Sequence, residues 1–181
     1  MFDNKQEDFL FHYDAIKEQL ERYVLNLTRN RNDAKDIISE TILIAYQNFE
    51  QIENKVALLS YLFTISRRLF YQEKYKMKRI DYSSAEFIDE LISDDISQED
   101  KMDIQLLYIA IDELDENQRE AIILAEIMGF AHKEIAKIQD TTVANIKIRI
   151  FRAKKALKIK LKIEEDKRIK SENLNDIRAS V

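Results

Sequence analysis

The chain of 181 residues has no cysteine, no proline, no tryptophan and a single glycine, Gly129. Without cysteine there can be no disulfide, no thiolate metal ligand and no thiol nucleophile. Without proline, and with one glycine, the turn chemistry that sheets require is missing, so the fold expected is all-α. No charge-free apolar run approaches the roughly 20 residues that span a bilayer, so no membrane span is expected. Met1 runs directly into charged residues with no basic-then-apolar leader, and a cytoplasmic location is the expectation. His12 and His132 have neither a His four residues away nor a Cys partner, so neither a metal nor any other cofactor is expected. There is no glycine-rich phosphate cradle and no nucleophile motif, and Glu134 with Asp140 does not form a recognisable acid/base pair. The chain does not read as an enzyme.

What is present is charge, and its distribution matters more than its sum. The net charge of -5 argues against a nucleic-acid partner until it is resolved along the chain. From Tyr61 to Ile80, six basic residues (Arg67, Arg68, Lys74, Lys76, Lys78, Arg79) face one acid, Glu73. From Lys147 to Lys162, eight basic residues face none. Between these islands lies an acidic stretch holding Asp81, Glu86, Asp89, Glu90, Asp94, Asp95, Glu99 and Asp100. Two basic surfaces on an acidic tether is the organisation this implies.

Apolar spacing predicts a first helix over 9–28, a second over 33–49 with Ile37, Ile38, Thr41, Ile42, Ala45, Tyr46 and Phe49 inward, and a third over 56–78. In the third, Leu58, Leu62, Ile65 and Leu69 form one stripe at 100° per residue, and Thr64, Arg67, Tyr71, Lys74 and Lys78 cluster opposite. Cations beside an aromatic ring suit unpaired DNA, because the cations follow phosphates while Tyr71 stacks on a base for roughly 1 to 3 kcal/mol. Phe63, Phe70 and Tyr75 flank this face, and Phe63 and Phe70 fit either it or the core.

The segment from Leu114 to Leu161 describes a helix-turn-helix. Asp115 starts one helix, Gly129 ends it, a short helix follows over 132–139, and Thr142 caps a long basic one. Val143, Ile146, Ile150, Leu157 and Leu161 form the buried stripe of that last helix. Asn145 and Arg149 are the candidates for base edges, since Asn suits adenine and Arg suits guanine. Arg152, Lys154, Lys155 and Lys158 suit phosphates. Ile148, apolar on the groove-facing side, either touches thymine methyls or marks a surface covered by another protein. The polar tail over 164–181 is expected to be a frayed helix end or disordered.

Asn32 to Thr41 (Asn-Asp-Ala-Lys-Asp-Ile-Ile-Ser-Glu-Thr), Tyr61 to Leu69 (Tyr-Leu-Phe-Thr-Ile-Ser-Arg-Arg-Leu) and the whole of Leu114 to Leu161 resemble bacterial RNA polymerase sigma factors of the extracytoplasmic-function group. The resemblance implies two small helical domains: region 2 over 1–80 and region 4 over 103–163, joined by a flexible acidic linker over 81–102. It implies that Asp36, Ser39 and Glu40 dock on the clamp helices of core RNA polymerase, and that Arg67, Arg68, Tyr71, Lys74 and Lys78 recognise the melting -10 element. It implies that Asn145, Lys147, Ile148, Arg149, Arg152 and Lys155 face the -35 element while region 4 rests on the polymerase flap. An anti-sigma factor is a further implied partner, and Ile148 and Phe151 suit it.

Three departures from the family pattern stand in region 4. Ala131 lacks the hydroxyl that caps the first motif helix, a loss of roughly 0.5 to 2 kcal/mol. Asp140 replaces the turn glycine and tolerates a left-handed backbone better than most residues. Ile148 replaces a serine. Two other readings remain open on the sequence: a stand-alone helix-turn-helix regulator acting as a dimer, and a helical adaptor for an acidic partner.

Overall fold

A computed structural model describes residues 4–52, 57–77 and 96–179. Every regular element among the described residues is helical. The apolar pattern over 9–28, expected as one helix, forms two: α1 (Asn4–Asp14) and α2 (Lys17–Thr28). Ile16 leaves helical geometry, at φ -129° and ψ -3°. The break frees α1 to turn Phe9 edge-on to Tyr46 and Phe49, at ring separations of 5.4 and 5.2 Å. Leu20, Tyr23, Val24 and Leu27 of α2 are meanwhile fully buried.

Helix α2 ends at Arg29, whose left-handed φ of 52° lets its N–H donate to the Leu25 carbonyl at 2.8 Å. Asn30 then caps α3 (Arg31–Gln47), its side-chain oxygen accepting from the N–H groups of Asn32 and Asp33. Ile37, Thr41 and Ala45 are buried as expected, followed by Phe49 in a short 3-10 turn. Ile38, Ile42 and Tyr46 are only half-buried. Helix α4 (Leu58–Met77) buries its predicted stripe of Leu58, Leu62, Ile65 and Leu69. Phe63 and Phe70 prove to be core, and Phe63 stacks on Tyr23 at 4.1 Å.

Residues 78–95, with Lys78 and most of the expected linker, lie outside the described residues. Helix α5 (Gln98–Asp112) begins inside the segment expected to be tether, because Ser97 caps it through the Asp100 N–H. Asp115 caps α6 (Glu116–Ile122), which widens into a π-helical turn over Ile123–Ile127. Gly129, at φ +76°, ends it as predicted.

Helix α7 (His132–Ile138) begins at Ala131 without a capping hydroxyl. The Glu134 carboxylate instead reaches back to the Ala131 N–H at 2.8 Å, which recovers half of a capping box. Asp140 takes the left-handed turn at φ 47°, and Thr142 caps α8 (Val143–Ala179) through the Asn145 N–H. Two expectations for α8 need correction. Val143, in its first turn, is 38% exposed and Leu161 is only half-buried, while Ala153 joins the buried stripe. The segment expected to be frayed or disordered continues the helix to Ala179.

The two helical groups share one continuous apolar core. Helix α4 packs on α7 and α2 packs on the π-helical turn. Phe63 meets Phe130 across this junction at 5.1 Å.

Candidate nucleic-acid interface

The basic face of α4 divides into two ridges. Arg68 is exposed, and Tyr75, two turns further along the same side, is 75% exposed. The other ridge carries Arg67, Tyr71 and Lys74, and α6 lies against it. Arg67 Nε donates to Glu120 at 2.7 Å and its guanidinium reaches Asn117 Oδ1 at 3.3 Å. Lys74 pairs with Glu116 at 2.5 Å. Tyr71, expected as an open stacking ring, is buried, with the Arg67 guanidinium 5.0 Å from its ring centre. In this arrangement the open aromatic is Tyr75, which sequence reasoning placed only on the flank of the face. Its seven-residue spacing from Arg68 was the available signal.

Glu120 has no exposed surface although it carries a carboxylate. A buried carboxylate is tolerated only with donors around it, and Glu120 has three: Tyr23 Oη at 2.6 Å, Arg67 Nε, and Gln139 Nε2 at 2.9 Å. Burial, then the Glu120 charge, push the Tyr23 phenol well above its ordinary value. Burial works against the Arg67 cation, but Glu120 more than offsets it and raises the guanidinium further. Burial dominates at Asp112 too and raises its carboxyl, although Arg29 and Arg119 both favour its charged form. Arg29 donates to Asp112 and, at 3.4 Å, to the Tyr108 carbonyl, while the Tyr108 hydroxyl donates to Asn26 at 3.1 Å.

Helix α8 presents Asn145, Ile148, Arg152 and Lys155 on one exposed side, with Lys147 around the flank. Asn145 donates to the Thr141 hydroxyl at 3.1 Å. Arg149 is half-buried and turned back toward the turn, donating to Gln139 Oε1 at 2.6 Å. Ile148 and Phe151 are 48% and 69% exposed. Lys154 is paired with Glu126 at 2.9 Å.

Asp36, Ser39 and Glu40 lie together on the exposed side of α3. Beside them a cavity of about 480 Å³ opens between α1 and α3, lined by Phe9, Leu10, Ile42, Leu43 and Tyr46 with Gln6 and Ser39. Among the described residues no cluster of His, Asp and Glu could hold a metal ion, and no helix is long and apolar enough to cross a membrane.

Residues 12–80 match the family model for sigma-70 region 2, and residues 104–157 match that for sigma-70 region 4. The chain is 29% identical over 163 residues to the ECF RNA polymerase sigma factor EcfG of Rhodopseudomonas palustris, covering 90% of this chain and 87% of that protein. The chain belongs to the extracytoplasmic-function sigma factors. Such sigma factors are promoter-specificity subunits that direct transcription initiation. This sigma factor is also 28% identical over 152 residues to the RNA polymerase sigma factor SigV of Bacillus subtilis, over 82% of this chain and 88% of that one. Its fold is similar to that of the sigma factor RpoE of Bartonella quintana, solved in complex with the anti-sigma factor NepR. That match has a TM-score of 0.68 and 26% identity, covering 87% of this chain and 98% of the other.

Proposed function

We propose that the chain divides promoter recognition between α4 and α8, with region 2 over 1–80 and region 4 running from the start of α5 to 163, which shortens the linker expected over 81–102. Arg67, Arg68, Tyr71 and Lys74, continued by Lys78, engage the melted -10 element, and Tyr75 adds a second ring. Cations hold the backbone and the rings hold unpaired bases. On α8, Asn145 and Arg149 read base edges of the -35 duplex, Ile148 meets thymine methyls, and Lys147, Arg152 and Lys155 hold phosphates. Catalysis of RNA synthesis is left to the polymerase.

The observation that carries this reading is the pairing of two segregated basic faces, one with aromatic rings and one on a capped second helix of a helix-turn-helix. The acidic side of α3 at Asp36, Ser39 and Glu40, with the apolar groove beside it, suits docking of a polymerase coiled coil. An anti-sigma factor is the second protein partner, as in the Bartonella complex. The apolar Ile148 and Phe151, set among cations, fit an acidic amphipathic segment of it.

The test is gel filtration of the chain with core polymerase. The wild-type chain is expected to co-elute, and Asp36→Lys with Glu40→Lys to abolish co-elution while circular dichroism stays unchanged. Undiminished co-elution of that variant would remove α3 from the docking surface.

A further inference from the structure

The ridge of α4 that carries Arg67, Tyr71 and Lys74 is already occupied, and its occupant has the chemistry of a nucleic acid. Glu116 and Glu120 of α6 set carboxylates against Lys74 and Arg67, where phosphates would otherwise sit, and Asn117 supplies a further acceptor. The contact is polar at Glu116, Asn117 and Glu120, and apolar beside them, where Phe63 meets Phe130 and α2 packs on the π-helical turn.

The closed arrangement also carries an internal cost. The Tyr71 hydroxyl is buried with no hydrogen-bond partner. A contact that leaves a hydroxyl unsatisfied is one that can be exchanged for another ligand. Its polar network does not end at region 2. Glu120 Oε2 accepts from Gln139, and Gln139 Oε1 accepts from Arg149 of the recognition helix.

We propose that helix α6 is an internal nucleic-acid mimic: Glu116, Asn117 and Glu120 cover the Arg67–Tyr71–Lys74 ridge, so that the chain alone restrains its own DNA binding until region 4 swings away from region 2. Through Glu120 and Gln139, the same contact is linked to the arginine expected to read the -35 element. This inference rests on the reading of α4 as a DNA-binding face, and the two fail differently.

The test measures fluorescence anisotropy of a labelled, mixed-sequence single-stranded DNA of about 12 nucleotides with the full chain. Glu116→Gln with Glu120→Gln is expected to tighten binding about tenfold, since two cations and a ring are released together. Glu18→Gln with Glu21→Gln, on the exposed side of α2, makes the same change in charge away from both basic faces and is expected to shift binding less than about twofold. Glu116→Gln alone, on a partly exposed side chain, is expected to give about threefold. Equal effects of the two double variants, or no tightening by either Glu116 variant, would overturn self-restraint. Adding Arg67→Glu to each background tests the other reading separately: if binding is as tight with it as without it, α4 is not the DNA face.

Discussion

Tyr23→Phe removes one oxygen atom from the junction between the domains and leaves its stacking on Phe63 in place. The Tyr23 hydroxyl donates to Glu120 at 2.6 Å, and both residues are fully buried. A hydrogen bond to a buried charge contributes about 1.5–3 kcal/mol, and Glu120 keeps Arg67 and Gln139, so the loss is set at about 2 kcal/mol. The bond joins residues 97 positions apart on different domains, so the loss falls on the contact between them and not on either domain. A loss of about 2 kcal/mol multiplies the ratio of open to closed molecules about thirtyfold. Because the chain has no native cysteine, donor and acceptor dyes can be placed on cysteines introduced at the exposed positions of Lys35 and Lys133. Urea titration of energy transfer is expected to separate the dyes at a lower midpoint in Tyr23→Phe. An unchanged midpoint would refute the role given to this hydrogen bond.

Three further outcomes follow from particular residues. The Tyr23 phenol is raised above its unfolded value of 10.0, so its stabilisation is complete below pH 10 and is lost as pH rises through the folded value. Phenolate absorbance should therefore show a late-ionising fraction among the eight tyrosines that appears together with dye separation; ionisation of all eight near pH 10 with the contact intact would contradict this. Gly129→Ala places a methyl in open space at φ +76°, so only backbone strain is added, and thermal unfolding should show about 1 kcal/mol of destabilisation. A loss beyond about 3 kcal/mol would mean a clash that the geometry excludes. On -35 duplexes, Arg152→Glu should weaken binding to all sequences and flatten the salt dependence, whereas Asn145→Ala should mainly relax sequence preference; identical effects of the two across sequences would end that division of labour.

Features set by short-range chemistry were legible in the sequence. Thr142 and Asp115 act as caps, Gly129 and Asp140 adopt positive φ, and the stripe of Leu58, Leu62, Ile65 and Leu69 is buried, because each depends on residues within a turn or two. Ala131 was read as a lost cap because the sequence shows the missing hydroxyl, while the compensating reach of Glu134 is a matter of geometry. The break at Ile16 was missed for a related reason. The apolar period continues through it, and only the packing of Phe9 on Tyr46 and Phe49 shows why the chain turns.

The closed contact was not legible at all. Tyr23 and Glu120, or Arg29 and Asp112, are ordinary residues on their own helices and acquire meaning only when partners 97 and 83 positions away meet them. Tyr71 shows the same limit. Helical spacing set it correctly on the basic face, but whether that face was open depended on another domain.

The most direct measurement of promoter recognition by two basic faces is run-off transcription with core RNA polymerase on a library of promoter fragments, with and without the chain. New start sites that require the chain are expected, and both Arg67→Glu and Arg149→Glu should abolish them while leaving co-elution with the polymerase intact. Chain-dependent start sites that survive both substitutions would contradict the assignment of α4 and α8 as the promoter-reading surfaces.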